Sequence, residues 1–447
     1  MFGTLFNAVM AVALVLLAWG FAQFVLWYRW GFEELREAER HAGQPNAGYR
    51  LVVLIACLDE EEVIGATVAA IRAGTPEATV IVVDDASEDR TAEVAAAAGA
   101  TVLRRRLPEA RQGKGPALNF AYRSLLAGLA GQGLTVNPDE LIVCVMDADG
   151  RLSPGAIPAV LSRFNRPEVG GVQLPVRIRN RRTFLARMQD FEFWGMSAIA
   201  QMARIRTRSV SLGGNGQFTR LAALKSVGDA PWSDALTEDL DLGVELTLRG
   251  WDLDMAAAEW VSQQGVEKVR ALVRQRTRWY QGHMRCAGKA RLLWETPGID
   301  RRTALETTLY LITPAFVMLP WSVAFTAGLV YFAYNLIVHR MMPFDGVGVH
   351  TYYYAVFWYM LTFLPPVVLG LLYARRTEEE NVVSAVLKGH VQVFYAYLNM
   401  AAGWRALGRI VLGRNGWAKT ARVVETPVAE APPVPEPSEA APLRRAA

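Results

Sequence analysis

Hydrophobic positions between residues 50 and 220 form short apolar runs that alternate with stretches of helical periodicity. A run such as residues 51–56, apolar at every position, is typical of a strand covered on both faces. The predicted strands are residues 51–56, 79–83, 101–103 and 140–146, and the predicted helices are residues 63–71, 92–98 and 116–129. This alternation predicts an α/β domain with a mostly parallel sheet and right-handed crossovers. Such sheets bind ligands beyond the carboxyl ends of their strands.

Longer apolar runs flank this region and are long enough to cross about 30 Å of hydrocarbon. They are residues 5–27, residues 308–338 and residues 352–373, the last two separated by a short loop at 341–351. A signal peptide competes for the first run, but no Lys or Arg precedes Arg29, so an uncleaved anchor is favoured. Basic residues just after this run place the following domain in the cytoplasm.

The region after residue 390 is apolar but carries Arg405 and Arg409. An interfacial helix over residues 391–412 is favoured over a fourth span, which would carry these arginines to the outer face. The predicted organisation is an anchor at 1–30, a cytoplasmic domain at 48–302, a membrane region at 303–413 and a disordered tail at 414–447. Residues 181–208 mix aromatics with arginines, which leaves two readings open: a helix on the membrane surface or an ordinary amphipathic helix of the domain.

Composition agrees with a soluble domain joined to a few membrane spans. Hydrophobic residues make up 52% and charged residues 20% of the chain, and the mean hydropathy is +0.15. The net charge of +4 is modest, and the arginines lie beside apolar segments, which favours membrane lipids or a phosphate ligand over nucleic acid. Cys57, Cys144 and Cys286 are scattered and are expected to be buried free thiols on the reducing side of the membrane.

Acidic pairs follow two of the predicted strands. Asp84 and Asp85 end the second strand, and Asp147 and Asp149 follow the fourth, directly before Gly150. Acids after a strand are common turn formers. Two hard carboxylates on a tight turn also suit Mg²⁺ or Mn²⁺, with positions left for diphosphate oxygens.

Two further strings lie downstream. Residues 237–241, Thr-Glu-Asp-Leu-Asp, open an amphipathic helix in which Thr237 is a candidate cap and the acids suit the first turn. Gln275, Arg278 and Trp279 are spaced i, i+3 and i+4 and therefore share one helical face. An Arg-Trp pair near a membrane is also typical of an interfacial anchor.

Together with Asp147-Ala148-Asp149, these strings resemble the TED and QxxRW signatures of membrane-embedded, inverting family-2 glycosyltransferases. That group includes cellulose, hyaluronan and poly-N-acetylglucosamine synthases. The resemblance covers about residues 50–285 at motif level. It implies a GT-A-like catalytic domain, a UDP-sugar donor and a divalent metal.

The resemblance also implies roles for individual residues. Asp239, with Glu238 beside it, matches the general base, and Asp149 is the expected direct metal ligand. Asp147 is expected to serve both the metal and the donor sugar. The implied substrate-binding residues are Asp84 and Asp85 for uracil and ribose, Lys114 near the nucleotide, Gly214 near the acceptor, and Gln275, Arg278 and Trp279 as acceptor and diphosphate platform. Asp59 replaces the asparagine usual in the family's first loop.

The expected function is transfer of a sugar from a UDP-sugar to a growing β-linked polysaccharide, by direct displacement, in a multi-pass cell-membrane protein. Three or four spans are few for a polymer channel, so an oligomer or an auxiliary membrane subunit would complete it. Alternatively the acceptor is a lipid, as in a diacylglycerol glucosyltransferase. A non-catalytic membrane scaffold is the third hypothesis.

Overall fold

The structure is a computed structural model that describes residues 2–40, 43–46, 48–132, 136–338, 349–377 and 380–414. The predicted tail beyond residue 414 and most of the predicted loop at 341–351 lie outside these residues. The disordered tail and the loop between the two spans therefore remain predictions.

A seven-stranded sheet forms the centre of the domain, in the order β3-β2-β1-β4-β8-β6-β9. A smaller sheet has the order β5-β10-β7. The strands are β1 (Arg50–Cys57), β2 (Thr79–Asp84), β3 (Thr101–Arg104), β4 (Leu141–Met146), β5 (Arg151–Leu152), β6 (Val169–Gln173), β7 (Val176–Ile178), β8 (Gln217–Arg220), β9 (Asp252–Met255) and β10 (Val261–Gln263). The four strands predicted from apolar runs are confirmed.

The helices cover both faces of the sheet and continue beyond the domain. They are α1 (Phe2–Arg40), α2 (Glu61–Gly74), α3 (Thr91–Ala97), α4 (Lys114–Gly131), α5 (Ala156–Arg163), α6 (Phe184–Asp190), α7 (Ala198–Ala203), α8 (Leu221–Val227), α9 (Glu238–Leu248), α10 (Val269–Cys286), α11 (Ala290–Glu295), α12 (Arg301–Thr313), α13 (Leu319–Val338), α14 (Val349–Thr377) and α15 (Val382–Val411). π-helical turns at Phe191–Ser197 and Pro314–Met318 join α6 to α7 and α12 to α13.

The sheet is mostly parallel, as the alternating pattern predicts. β1 pairs in parallel with β2 and β4, which brings their carboxyl ends to one edge. β8 is the exception, because it runs antiparallel to both β4 and β6. That reversal returns the chain to the same edge, so the loop before β8 reaches the ligand-binding side of the sheet.

The aromatic segment at 181–208 belongs to the domain core. Phe191 and Trp194 are buried there with Met188 and Met202. Phe184 is the only aromatic residue of this segment that is mostly exposed, with 55% of its surface accessible. The segment is therefore a part of the domain, which agrees with the second of the two readings of its sequence.

The second half of α1 packs against this segment. Leu35 is buried in the same core, and a β-carbon at Gly31 would stand 2.4 Å from the carbonyl oxygen of Ile199. Arg206 forms ion pairs with Glu33 at 2.7 Å and Glu34 at 3.0 Å. α1 is thus part of the folded domain at its C-terminal end.

Two stretches of the described chain are long and apolar enough to cross a membrane: Arg301–Val330 and Trp358–Thr377. The proline at Pro314 interrupts regular hydrogen bonding in the first, where a π-helical turn appears. α15 does not meet the same criteria and packs on α10 and α14. Its predicted position at the membrane interface stays a prediction.

Candidate active site

A cleft of about 780 Å³ opens at the carboxyl edge of the sheet, between the loops after β1, β2 and β4 and helices α9 and α10. It brings together residues that are far apart in sequence. Of the residues singled out from the sequence, those lining the cleft are Asp85, Lys114, Asp147, Gly214, Glu238, Asp239, Gln275, Arg278 and Trp279. Asp84 and Asp149 are not among the lining residues in the described part of the chain.

Lys114 is the cation at the centre of the cleft. Its Nζ donates to Asp147 Oδ1 at 2.5 Å and to the carbonyl oxygen of Gly214 at 2.6 Å. Burial opposes the charge, but the carboxylates of Asp147, Glu238 and Asp239 outweigh it and raise the pKa of Lys114 above its ordinary value. The ammonium group therefore stays charged among three acids.

Gly214 allows this close packing. A β-carbon there would stand 2.9 Å from Lys114 Nζ and 3.2 Å from Asp239 Oδ2. Any side chain would push the lysine and the acid apart. The glycine is needed for close approach of the backbone to the charged groups.

Glu238 and Asp239 occupy the first turn of α9, as predicted. Asp239 Oδ1 accepts the backbone N–H of Leu240 at 2.8 Å. Burial raises the pKa of Glu238, and the neighbouring Asp239 raises it further. Burial likewise raises the pKa of Asp239, although the Leu240 N–H and Lys114 oppose the shift. Two acids with raised pKa values in one cleft are typical of a catalytic site.

The prediction that Thr237 caps α9 through its side chain is wrong. Its hydroxyl lies 3.8 Å from Cys286 Sγ on α10, and within the described residues it makes no capping hydrogen bond. The close packing of α10 against this residue turns the hydroxyl away from the helix. Asp241, two residues after Asp239, pairs with Lys289 at 2.6 Å.

The two acids at the end of β2 differ in environment. Asp85 lines the cleft, forms a buried ion pair with Arg105 and accepts the Arg111 N–H at 3.0 Å. Burial raises the pKa of Asp85, while the Arg105 charge opposes that shift. Asp84 instead accepts the Ser87 N–H at 3.0 Å and so shapes the turn. The roles implied for these residues stay predictions.

The Asp147–Asp149 pair is divided in the same way. Asp147 lines the cleft with about 30% of its side chain exposed, whereas Asp149 is fully buried and accepts the Gln264 N–H at 2.8 Å. Among the described residues no group of three or more His, Cys, Asp or Glu side chains surrounds a metal position. Mg²⁺ is usually held by one or two carboxylates together with substrate phosphates, so the accessible Asp147 carboxylate fits such an ion.

One face of α10 forms another wall of the cleft. Gln275, Arg278 and Trp279 line the cleft on this face, and His283, one turn further, continues it. The pKa of Glu238 is raised overall, and the nearby charge of Arg278 opposes that rise. The predicted i, i+3, i+4 face is therefore a wall of the cleft.

Two residues absent from the sequence argument hold this wall in place. Arg276 is buried, with its guanidinium 4.4 Å from the ring centroid of Trp279, and pairs with Glu192 at 2.6 Å. The spacing of Arg276 and Trp279, i and i+3, was a usable signal for the first contact. The contact with Glu192 joins residues 84 positions apart and has no such local signal.

The far end of the cleft reaches the first candidate membrane span. Tyr310 on α12 lines it, with its hydroxyl 3.1 Å from Ser211 Oγ. His283 Nε2 lies 2.9 Å from the Tyr310 carbonyl oxygen, which only a protonated nitrogen can contact as a donor. Burial lowers the pKa of His283 to about 4, so the ring is neutral at pH 7.

The Asp59 position explains a departure from the usual first loop. Asp59 has φ +52°, a left-handed conformation that Asn and Asp adopt more readily than other side chains. Its carboxylate accepts the Glu88 N–H at 2.8 Å. Aspartate therefore meets the same backbone requirement as asparagine.

The mostly parallel sheet with a cleft at its carboxyl edge is a GT-A-like architecture. The chain belongs to the family described as "Glycosyltransferase like family 2", whose model matches residues 47–282. Enzymes that transfer glycosyl groups are therefore the class to which the chain belongs.

Named relatives fall into two groups. A beta-monoglucosyldiacylglycerol synthase of Trichormus variabilis is 33% identical over 217 residues, which cover 45% of this chain and 42% of the relative. The chain therefore matches less than half the length of that relative. A poly-beta-1,6-N-acetyl-D-glucosamine synthase of Staphylococcus epidermidis is 24% identical over 379 residues, covering 81% of this chain and 84% of the relative.

A solved structure supports the fold. The mannosyltransferase PcManGT of Pyrobaculum calidifontis, in complex with GDP-Man and Mn²⁺, is similar with a TM-score of 0.53 and 15% identity. The similarity covers 87% of this chain and 99% of that one. It shows a shared architecture.

Proposed function

We propose that the protein transfers a sugar from a UDP-sugar to a hydroxyl group of a growing β-linked glycan, with inversion at the anomeric carbon. The observation that carries this proposal is that Asp239, Glu238, Lys114, Asp147 and Trp279 line the same cleft. Sugar transfer by direct displacement needs such groups: paired acids, a fixed cation and an aromatic face.

In the proposed reaction the acceptor oxygen attacks the anomeric carbon and the bond from that carbon to the diphosphate breaks. Asp239 takes the hydroxyl proton, and UDP leaves with the bonding electron pair. A general base in this position contributes about 10²–10⁴-fold in rate. The indole of Trp279 offers a stacking face to the acceptor sugar.

Cationic groups of the chain balance the charge of the leaving diphosphate. Lys114 is a compact point charge, and the planar fork of Arg278 suits bidentate contact with phosphate. When bound at Asp147, Mg²⁺ or Mn²⁺ supplies Lewis acidity to the diphosphate oxygens. Asp149 is proposed as a second carboxylate for the same ion, and Asp84 and Asp85 as the uracil and ribose contacts.

A glycan acceptor is supported by the alignment with a poly-N-acetylglucosamine synthase along most of both chains. A lipid acceptor is the second candidate, supported by the higher identity to the glucosyldiacylglycerol synthase. The end of the cleft at Tyr310, on a candidate span, suits an acceptor that arrives from the bilayer.

The proposed location is the cell membrane, with several spans and a cytoplasmic catalytic domain. An oligomer or an auxiliary subunit is proposed to complete a channel for a polymer.

The test uses the full chain in lipid nanodiscs with Mn²⁺ or Mg²⁺ and a panel of UDP-sugars. UDP release is followed first, and products are then sized by mass spectrometry after lipid extraction. A water-soluble ladder of sugar repeats supports the glycan acceptor, and one organic-phase species, a sugar heavier than a membrane lipid, supports the lipid acceptor. Full activity in both Asp239→Asn and Asp149→Ala would refute the mechanism. No UDP release with any donor would favour the scaffold hypothesis.

A further inference from the structure

We propose that Glu192 is a positioning residue through which helix α15 sets the orientation of the Trp279 indole and thereby the affinity for the acceptor. This inference rests on the proposed function, since it assigns Trp279 to the acceptor. Glu192 lies in the π-helical turn Phe191–Ser197, lines the cleft and contacts α15.

The carboxylate of Glu192 receives donors from two different elements. Arg276 on α10 donates to its Oε2 at 2.6 Å. From α15, the Tyr395 hydroxyl donates to Oε2 at 3.3 Å and Asn399 Nδ2 donates to Oε1 at 3.0 Å. One acid thus connects the helix that carries the QxxRW motif to the last helix of the described chain.

Arg276 in turn contacts Trp279 and so links Glu192 to the indole. Its guanidinium lies 4.4 Å from the Trp279 ring centroid and 4.9 Å from that of Phe193. Phe193 packs edge-on against Trp279, with centroids 6.0 Å apart. A cation stacked on an indole in a desolvated site contributes appreciably to its orientation, so displacing the guanidinium displaces the aromatic face offered to the acceptor.

The face of α15 that makes these contacts is unusual for an apolar helix. Gln392, Tyr395 and Asn399 are spaced i, i+3 and i+7 and are all buried, so they form a polar stripe toward the catalytic domain. Packing alone would have been served by apolar residues at these positions. Tyr395 and Asn399 of this stripe donate to Glu192, which implies that their function is to hold that carboxylate.

The experiment removes one hydroxyl from α15 and compares it with a matched control. Tyr395→Phe loses the contact with Glu192. Tyr397→Phe makes the same change two residues away, where the hydroxyl contacts Thr326 Oγ1 on α13 at 3.0 Å. Because hydrogen bonds to charged groups are stronger than neutral ones, we expect Tyr395→Phe to raise the acceptor KM by about 3–10-fold. The donor KM should stay near wild type, as should both KM values in Tyr397→Phe.

A double-mutant cycle tests the route through the indole. If Trp279 carries the effect, Tyr395→Phe leaves the acceptor KM of a Trp279→Ala background unchanged. A further rise in that background, or equal effects of Tyr395→Phe and Tyr397→Phe, would overturn the proposal. A conservative Glu192→Gln variant should raise the acceptor KM as well, since the amide keeps the shape and loses the charge that holds Arg276.

A second measurement does not require activity, so failure of the proposed function remains distinguishable. With 5-fluorotryptophan incorporated, the ¹⁹F resonance of Trp279 is identified by its loss in Trp279→Phe. We expect Tyr395→Phe to shift that resonance and Tyr397→Phe to leave it in place. An unmoved resonance in Tyr395→Phe would refute the coupling even if no donor or acceptor had been found.

Discussion

At the scale of single residues, the centre of the cleft is held together by opposite charges. Lys114 lies between Asp147 and the acid pair of α9, and its contact with the Gly214 carbonyl fixes its position. Since the pKa of Asp239 is raised chiefly by burial, its ionised form is less favourable in the folded chain than in water. The proposed role of Asp239 as the general base therefore comes at a cost in stability.

Asp239→Asn is expected to lose transfer activity and to gain stability. The amide cannot take the acceptor proton, which predicts a fall in kcat of about 10²–10⁴-fold. Its oxygen can still accept the Leu240 N–H, and removal of a buried charge beside Glu238 raises the melting temperature. UDP release and thermal unfolding measure the two effects.

Asp139→Asn is the control for this variant, because Asp139 is exposed and lies outside the cleft. Asp139→Asn should change neither UDP release nor the melting temperature. A lower melting temperature in Asp239→Asn would contradict the argument from the raised pKa.

The lowered pKa of His283 predicts that the folded protein loses stability on mild acidification. Its folded-state pKa of about 4 lies below the ordinary value of 6.5, so the unfolded chain binds more protons between these values. Stability from this group is therefore complete above pH 6.5 and is lost as the pH falls toward 4, by up to about 3 kcal/mol. The melting temperature of the wild type should fall between pH 7.5 and pH 5.5 by more than that of His283→Gln. Parallel falls in the two proteins would count against this assignment.

At the scale of elements, the site depends on how closely α10 approaches the first turn of α9. A β-carbon at Gly282 would stand 2.6 Å from Thr237 Cγ2 and 2.9 Å from its backbone nitrogen. This contact explains both the glycine on α10 and the turned hydroxyl of Thr237. It fixes the distance between the acid pair and the α10 wall.

Gly282→Ala is therefore expected to force the two helices apart, with a loss of about 1–3 kcal/mol in stability and a larger relative loss of transfer activity. Gly288→Ala is the matched control, because a β-carbon there meets no atom within 4 Å. The measurements are chemical unfolding and UDP release. Equal activities of the two variants would show that the spacing of α9 and α10 does not matter.

At the scale of the whole molecule, the N-terminal helix belongs in part to the catalytic domain. Leu35 and Ala38 are buried in the core that also contains Ile199 and Met202. A helix that only anchored the domain would not need this contact. The predicted span at residues 5–27 overlaps the packed part at Phe24, which also packs against this core.

Two truncations separate these roles. Deletion of residues 2–20 should leave the melting temperature of the domain near wild type, because the packed half of α1 remains. Deletion of residues 2–40 uncovers apolar surface at Ile199 and removes the ion pairs of Arg206, so the melting temperature should fall and aggregation should increase. Thermal unfolding and size-exclusion chromatography in detergent measure this. Identical behaviour of the two truncations would contradict a structural role for α1.

The α/β pattern, the acids at the strand ends and the helical face of Gln275 and Trp279 could all be predicted from the order of residues along the chain. These features follow from local periodicity and from the rule that parallel strands end at one edge, neither of which needs tertiary contacts. Packing in three dimensions was needed to show that Asp147 lines the cleft while Asp149 is buried, and that the hydroxyl of Thr237 turns away from α9. It also decided that Glu192 joins α15 to Arg276. The direction of a side chain depends on neighbours brought together by packing, often more than 80 residues apart, and no local pattern encodes them.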